Sequence, residues 1–475
     1  MIDKMLIDGA FTDAASGATR ELIDPGNEAS LGAVPYGDAS DARRALDAAS
    51  KALAAWSART PYERGAILEK AAEIIASRAA EYAVRTAEES GKPLAQARGE
   101  WAGAPGYLRV AAEQARALGG RTIPSRLGPR RIEVMHRPVG VVGIITAWNF
   151  PVYNPNRAVA SSLAVGCTAV LRPSEFTPRS AFDYARAFVD AGLPAGVLNV
   201  VNGDPASMGQ AMLDDHRCRK MAFTGSTRVG KLLMDGASRT VKRLSLELGG
   251  NAPVIVMPDA DVAAVAKSGV TAKLRNAGQV CIAPQRFYVH ASVIDAFIAA
   301  AKEAAEREIL GHALDAKTTL GPLINAAQRD RVARMVDGSV AMGARVVTGA
   351  SIPDRKGYFY SPTILADVPR DAPALREELF GPVMPVVPFE TIDEALAMAN
   401  DTEYGLAAYV WTRDLRAATK LSEGLDFGMV GVNDWYPVTP EAPFGGVKQS
   451  GMGRESGFEG VMEYVEAKTR YVGLG

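Results

Sequence analysis

Cys281 and Glu247 combine residue type and local sequence in a way that suits nucleophilic chemistry. Cys281 follows a glycine-containing turn, Asn276–Val280, where backbone amides can converge on a thiolate or on an oxyanion formed beside it. Glu247 ends an apolar strand and precedes Gly249–Gly250, which permit close backbone approach and leave the carboxylate in a crevice. Each residue also has an ordinary structural interpretation: a small buried hydrophobe for the cysteine, and an ion-pair partner or cap for the glutamate. The sequence around each residue must decide between the catalytic and the structural interpretation.

The elements that position these residues alternate between short β-branched runs and helical patterns. Between Val139 and Leu248 this alternation predicts buried strands joined by crossover helices, which form a parallel, doubly wound α/β sheet. Such a sheet binds its ligand at the carboxyl ends of its strands. The residues that directly follow predicted strands there are Asn149, Pro173–Glu175, Gly225–Ser226 and Glu247. After Asn251 the pattern begins again and predicts a second α/β domain.

Three further segments flank these patterns. From about Ser40 to Leu118 the chain is Ala-rich with apolar residues at helical spacing, and Thr60–Glu63 has the pattern of a capping box. Residues 121–138 predict an exposed arm or hairpin, and the last residues predict a terminal strand.

Composition excludes several classes of protein. Lys and Arg total 53 against 54 Asp and Glu, so no global field favours nucleic acid or an anionic membrane as partner. Three widely spaced cysteines argue against a disulfide framework and for a reducing compartment, and no apolar stretch approaches the ~20 residues that span a bilayer. The four histidines have no metal-ligand spacing. We therefore expect a cytoplasmic protein with no bound metal.

Two motifs resemble the signatures of the aldehyde dehydrogenase superfamily. They are ELGGNAP at 247–253 and GQVC at 278–281, which place Glu247 and Cys281 34 residues apart. Further matches are RPVGVVGIITAWNFP, ending at Pro151, FTGSTRVG at 223–230, EELFGPV at 377–383 and PFGGVKQSGMGRE at 443–455. The resemblance runs from the N-terminus to the last strand.

The resemblance implies oxidation of an aldehyde to a carboxylic acid through a thioester on Cys281. It makes Asn149, with the backbone N–H of Cys281, the donor to the tetrahedral oxyanion, and it makes Glu247 the base that activates water. Glu455 matches a second acidic residue linked to proton relay. Many members have a relay lysine where this chain has Ala158, so the route of proton transfer differs here.

The resemblance also implies a nicotinamide cofactor. Glu378 and Phe380 match residues at the nicotinamide ribose and ring, and Glu175 matches the carboxylate that binds the adenosine ribose, which favours NAD over NADP. Arg172 replaces the usual lysine and can clasp a 2′-phosphate, which weakens that preference. The remaining residues expected at the cofactor are Ile145, Trp148, Gly225, Ser226, Gly230, Leu248 and Gly249.

Five residues suggest a substrate. Arg157 and Arg275 resemble the arginines of succinate-semialdehyde dehydrogenases and would suit an aldehyde that carries its own carboxylate. Tyr153, Trp435 and Tyr436 would supply aromatic surface near the same mouth, so an aromatic or medium-chain aliphatic aldehyde is the alternative. Either arginine could instead serve the structure, Arg275 by bonding a carbonyl at its helix end.

Three other functions stay open at this stage: a non-catalytic relative, a coenzyme A-acylating dehydrogenase, and a thioester hydrolase without nicotinamide. By resemblance, the nucleotide-binding domain comprises 1–120 and 139–249, the catalytic domain 250–448, and a small bridging β-arm 121–138 and 449–475. An exposed arm strand needs a partner edge, which predicts a homodimer or homotetramer.

Overall fold

The structure is a computed structural model that describes residues 3–475, and it contains alternating strands and helices in two large sheets and two small ones. The strands are β1 Met5–Ile7, β2 Ala10–Thr12, β3 Thr19–Ile23, β4 Ser30–Pro35, β5 Arg121–Pro124, β6 Arg130–Pro138, β7 Val141–Ile145, β8 Thr168–Arg172, β9 Leu198–Val200, β10 Cys218–Thr224, β11 Arg243–Glu247, β12 Ala252–Val256, β13 Pro284–His290, β14 Arg345–Thr348, β15 Thr363–Ala366, β16 Val383–Phe389, β17 Ala407–Trp411, β18 Met429–Val432, β19 Gly451–Met452 and β20 Val465–Gly473. The helices are α1 Ala39–Ser57, α2 Pro61–Ser90, α3 Leu94–Ala117, α4 Tyr153–Ala164, α5 Pro178–Asp190, α6 Pro205–Asp214, α7 Thr227–Ser238, α8 Val262–Leu274, α9 Ile294–Glu306, α10 Ala326–Ala341, α11 Pro373–Arg376, α12 Ile392–Asn400, α13 Leu415–Gly424 and α14 Gly457–Met462.

The first large sheet is the predicted doubly wound sheet. Its strand order is β19-β11-β10-β7-β8-β9-β1-β2, and the five strands from β11 to β9 are parallel. All five residues of β7 and of β8 are buried, which is the pattern of strands covered by helices on both faces. One detail differs from the prediction: β19 lies in the expected bridging segment 449–475, yet it pairs antiparallel with β11 through Leu246 and Met452.

The second large sheet has the order β14-β15-β16-β13-β12-β17-β18. Its strands are parallel except for β14, and a separate hydrophobic core fills the space between this sheet and its helices. The second α/β unit predicted after Asn251 is therefore present. The domain boundaries themselves stay a prediction.

The arm and the terminal strand form a third sheet, with the order β20-β6-β5. It is antiparallel throughout, and β6 pairs with β20 from Pro138↔Val465 to Arg130↔Gly473.

The predicted capping box at Thr60 is also confirmed, because the Glu63 carboxylate accepts from the Thr60 N–H at 2.7 Å while the Thr60 hydroxyl accepts from the Glu63 N–H. Within residues 3–475, no helix is both long and apolar enough to span a membrane.

Candidate active site

Glu247 lies at the carboxyl end of β11, where the sequence predicted it. Its backbone carbonyl accepts from the Gly225 N–H at 2.9 Å, and its side chain is only 3% exposed. Neither carboxylate oxygen accepts a hydrogen bond from any residue of the described chain. Burial, followed by the neighbouring charge of Glu455, raises the pKa of Glu247 well above its usual value, and Arg157 opposes the rise. Both carboxylate oxygens are therefore available to a water, and the raised pKa makes Glu247 a stronger base than an ordinary glutamate.

The turn before Cys281 has an unusual backbone. Asn276, Ala277 and Gly278 have φ values of 50°, 55° and 74°, three successive residues in the left-handed region. Gly278 cannot carry a side chain, because a Cβ there would overlap the Gly381 carbonyl oxygen. The Asn276 N–H is held by the side-chain oxygen of Gln96 at 2.8 Å. The rest of the fold thus imposes this shape on the turn.

Glycines bring the Cys281 turn and the end of β11 into contact. A Cβ on Gly250 would overlap the Cys281 carbonyl oxygen, so only glycine allows this close approach. The Cys281 side chain is half-buried, and burial raises the pKa of its thiol to about 12, partly offset by the charge of Arg157. In this form the sulfur carries its proton and needs a base when it attacks.

Asn149 is 4% exposed, and its amide is held from both ends. Its Nδ2 donates to the Gln279 carbonyl at 3.1 Å, two residues before Cys281, and its Oδ1 accepts from Asn154 Nδ2 at 3.0 Å. Asn154 is a site residue that the sequence analysis missed. The available signal was its spacing, because Asn154 stands three residues before Arg157 and the two share one face of α4.

Arg157 is buried and ion-paired. Its Nε donates to Glu455 Oε2 at 2.6 Å, its Nη2 donates to Asn154 Oδ1 at 3.1 Å, and its guanidinium carbon lies 4.0 Å from the centroid of the Phe444 ring. Burial opposes the charge on Arg157, but Glu455 outweighs burial and raises the pKa of the guanidinium. Ala158 leaves no lysine here, so the arginine is the cation that faces Glu455. Arg157 is thereby less available to a substrate than the sequence suggested.

Arg275 has different surroundings at the end of α8. It is half-buried, with its guanidinium carbon 5.0 Å from the Phe150 ring centroid and 5.7 Å from that of Tyr436. No carboxylate in residues 3–475 forms an ion pair with it within 4.0 Å. Arg275 is thus a cation beside two aromatic rings, and its N–H groups bind no carboxylate of the described chain.

One of the three aromatic residues predicted near the mouth lies elsewhere. Tyr153 does lie beside the site, where its hydroxyl donates to the Gly99 carbonyl and its ring centroid is 5.5 Å from that of Tyr107, a neighbour without any sequence signal. Trp435 is instead a core residue, 7% exposed, and its indole N–H donates to Ser268 Oγ at 3.0 Å. The next residue, Tyr436, is the one whose ring contacts Arg275. The prediction that Trp435 lines the mouth is therefore corrected, whereas Tyr436, which was predicted there too, does lie beside Arg275.

The first turn of α4 is capped by a distant side chain. Its N-cap residue is Val152, which offers no side-chain acceptor. Glu100 of α3 supplies one instead, because its Oε1 accepts from the N–H groups of Val152 and Tyr153 at 2.9 and 3.0 Å. Lys92 forms a buried ion pair with the other oxygen of Glu100 and lies 4.0 Å from the centroid of the Phe150 ring.

The residues expected at the nicotinamide end of a cofactor are close together. Glu378 accepts from the Gly250 N–H at 2.9 Å, and a Cβ on Gly249 would lie 2.6 Å from its other oxygen. Burial raises the pKa of Glu378 to about 7. Phe380 meets Trp148 edge to face with 5.5 Å between ring centroids. The carboxylate and the flat aromatic surface fit a ribose and a nicotinamide ring.

The residues expected at the diphosphate surround the start of α7. Ser226 caps this helix and accepts from the Val229 N–H, so the free N–H groups of the first turn and the helix dipole favour an anion there. A Cβ on Gly230 would lie 2.6 Å from Leu248 Cδ2, and this glycine therefore lets the helix pack against the end of β11. Ile145 is buried at the end of β7. These features fit a dinucleotide.

Arg172 and Glu175 form an ion pair at the carboxyl end of β8. Arg172 Nη2 donates to Glu175 Oε2 at 2.7 Å and to the Gly203 carbonyl at 2.8 Å. The charge of Glu175, on which the preference for NAD was based, is thus balanced by an adjacent guanidinium.

Comparison with known proteins gives consistent matches over nearly the whole chain. The aldehyde dehydrogenase family model matches residues 11–470. The succinate-semialdehyde dehydrogenase [NADP(+)] of Escherichia coli strain K12 is 40% identical over 469 residues, covering 99% of this chain and 97% of that protein. The succinate-semialdehyde dehydrogenase of Paenarthrobacter nicotinovorans is 45% identical over 435 residues, covering 91% and 96%. A crystal structure of an NAD-dependent aldehyde dehydrogenase from Sinorhizobium meliloti superposes with a TM-score of 0.97 at 40% identity, covering 99% of this chain and 95% of that one.

Proposed function

Because this chain belongs to the aldehyde dehydrogenase family, we propose that its substrate is a semialdehyde that carries its own carboxylate, such as succinate semialdehyde. The observation that carries this proposal is the free guanidinium of Arg275 at the mouth of the site. A carboxylate suits it, since arginine offers two parallel charge-assisted hydrogen bonds in a fixed fork. The same family membership makes the protein an NAD- or NADP-dependent oxidoreductase.

Arg275 supports a charged substrate better than Arg157 does. Arg157 already has Glu455 and Asn154 as partners, and reorienting it would leave a buried carboxylate unpaired. Within residues 3–475, Arg275 forms no ion pair within 4.0 Å, and its nearest ring partners are Phe150 and Tyr436, at 5.0 and 5.7 Å from its guanidinium carbon. We therefore assign the substrate carboxylate to Arg275. The aromatic residues at the mouth keep an uncharged aldehyde as the second candidate.

The reaction begins with attack of the Cys281 sulfur on the aldehyde carbon. As the C–S bond forms, Glu247 takes the thiol proton and the carbonyl electron pair moves onto oxygen. Asn149 Nδ2 and the Cys281 N–H donate to that oxygen. Bound NAD or NADP supplies the acceptor for the hydride that leaves the carbon, which yields a thioester on Cys281.

Hydrolysis then needs an activated water. Glu247, once it has released its first proton, accepts one from the water as the water oxygen attacks the thioester carbon. The C–S bond breaks, and the carboxylic acid leaves. The raised pKa of Glu247 favours this role, because a base with a pKa nearer neutrality binds the proton more strongly than an ordinary carboxylate. This step distinguishes hydrolysis from transfer to coenzyme A.

Cofactor choice depends on the ion pair between Arg172 and Glu175. Glu175 can accept from ribose hydroxyls, whereas Arg172 can bind a 2′-phosphate, and their mutual neutralisation weakens the repulsion on which the preference for NAD was based. The Escherichia coli relative is named for NADP(+), so we no longer rank NADP below NAD. We propose that both are accepted.

The proposed oligomer uses the three-stranded sheet. Its outer strands β5 and β20 have no further strand partner in the described chain, and Leu127, Tyr471 and Leu474 are exposed on this arm. Unpaired edges with exposed apolar side chains favour association, so we propose a homodimer or homotetramer. A cytoplasmic location stays a prediction from cysteine usage.

Nicotinamide reduction by the purified protein tests the proposal. We expect turnover on succinate and glutarate semialdehydes with NAD and NADP, weaker turnover on butanal and benzaldehyde, and none in Cys281→Ser. Preference for the uncharged aldehydes would overturn the carboxylate assignment. Absence of reduction with every substrate and cofactor would overturn the function itself.

A further inference from the structure

The hydrogen bonds from Glu455 to Gln279 can run in only one direction. A guanidinium has donors and no acceptor, so the atom of Asn154 that faces Arg157 must be its oxygen. The nitrogen of Asn154 then faces Asn149 and requires that residue's oxygen there. What remains of the Asn149 amide, its Nδ2, is directed at the Gln279 carbonyl beside Cys281.

This direction matters because the two ends of an asparagine amide have nearly the same shape. Packing around a residue that is 4% exposed fixes the plane of the Asn149 amide but does not distinguish its oxygen from its nitrogen. With the amide reversed, Asn149 would present a lone pair where negative charge develops during attack. Two neighbours oppose the reversal: the Gln279 carbonyl, which can only accept, and Asn154, which offers Asn149 a donor and no acceptor.

We infer that Asn154 is a positioning residue that, together with the Gln279 carbonyl, sets the orientation of the Asn149 amide, and that it does so by relaying the donor-only character of Arg157. The inference rests on the proposed function, because the orientation affects catalysis only if Asn149 Nδ2 binds the tetrahedral oxygen. It also gives the pair of Arg157 and Glu455 a purpose apart from substrate binding: Glu455 fixes the guanidinium that starts the relay.

Two substitutions at one position separate this role from packing. Asn154→Asp keeps the shape and the acceptor for Arg157 but, as a carboxylate, has no donor for Asn149. The Asn149 amide then lies between two acceptors, and its nitrogen is expected to turn toward the charged Asp, the stronger acceptor, which places its oxygen toward the Gln279 carbonyl and the reacting carbon. Asn154→Leu has a similar branched shape and no polar atom, so it removes the relay and leaves only the Gln279 carbonyl to orient Asn149.

The readout is the rate of the first turnover of nicotinamide reduction, measured by stopped flow at saturating substrate. Relative to the parent, we expect Asn154→Leu to be about 10-fold slower and Asn154→Asp about 10²-fold slower or more, as for loss of an oxyanion donor. KM is expected to change less than about threefold, because ground-state binding does not use this amide. A purely structural role predicts the opposite order, since Asp retains the bond to Arg157 and Leu does not.

Controls separate the possible failures. Asn149→Ala sets the scale, and an unchanged first-turnover rate in that variant would overturn the oxyanion role in the proposed function. If Asn149→Ala is slow but Asn154→Asp is as fast as the parent, or faster than Asn154→Leu, the relay is wrong. Asn156→Asp is the matched control, because Asn156 lies on the same helix and contacts Ala104 and Tyr184 instead. It is expected to lower thermal stability and leave the first-turnover rate unchanged.

Discussion

Replacing Arg275 by glutamine tests carboxylate recognition, because glutamine keeps a planar polar group and loses the charge. The parent guanidinium is half-buried between Phe150 and Tyr436. At ~4 Å and an effective dielectric near 20, a carboxylate and a guanidinium attract by about 4 kcal/mol. Desolvation of both ions and partial exposure of Arg275 remove roughly half of this attraction. We expect a net loss of about 2 kcal/mol, which corresponds to about 30-fold in kcat/KM.

The assay compares succinate semialdehyde with butanal, an aldehyde of the same chain length without the carboxylate. In Arg275→Gln, kcat/KM for the semialdehyde is expected to fall about 30-fold, while kcat/KM for butanal stays within about twofold. Arg275→Lys keeps the charge and loses the fork, so it should lie between. Equal losses on both substrates would show that Arg275 supports the site's structure. No loss on either would refute the reasoning.

Three further predictions concern the base, the nucleophile turn and the cofactor. Because both thiol attack and hydrolysis need unprotonated Glu247, turnover is expected to be full above the raised pKa of this group and to fall as the pH drops through it. Glu247→Gln should slow the first turnover and later ones alike by about 10²–10⁴-fold and abolish this limb of the pH profile; an unchanged first turnover would show that another group takes the thiol proton. Gly278→Ala should lower the free energy of unfolding by about 1–3 kcal/mol, because φ is 74° and the new methyl group meets Gly381; a denaturant midpoint equal to the parent's would contradict this. Glu175→Gln should raise the ratio of kcat/KM for NADP to kcat/KM for NAD about 10-fold, because it removes the negative charge and frees Arg172 from its ion pair. An unchanged ratio would show that the 2′-phosphate lies elsewhere.

Local patterns in the sequence were enough to predict the doubly wound sheet and the position of Glu247 at a strand end. Buried β-branched runs between helical patterns have few alternative folds, and parallel strands gather their carboxyl ends at one edge. The short strand β19 was not predictable in the same way, because two residues carry no periodicity and pair with β11 only through the finished sheet.

Contacts between side chains that are distant in the sequence could not be predicted either, because only the finished fold brings them together. Arg157 and Glu455 are almost 300 residues apart, so nothing near Arg157 reveals that its charge is already paired. The misplacement of Trp435 had another cause. Trp435 and Tyr436 were both predicted near the mouth, because two adjacent aromatic residues in a loop cannot be assigned to core and surface without the backbone path. Only Tyr436 lies beside Arg275.

The distant cap on α4 has a consequence for the order in which the protein acquires its structure. α4 carries Asn154 and Arg157, yet its first N–H groups are bonded by Glu100, which belongs to α3 and leaves the ribosome about 50 residues earlier. The hairpin of α2 and α3 consists of local contacts, which form quickly and early. The hairpin can therefore be in place before α4 is made, and Glu100 can cap α4 as soon as that helix forms. In a chain without this hairpin, we expect the N–H groups of Val152 and Tyr153 to lose their acceptor, and the first turn of α4 to be less stable, even though every site residue from Asn149 onward is present.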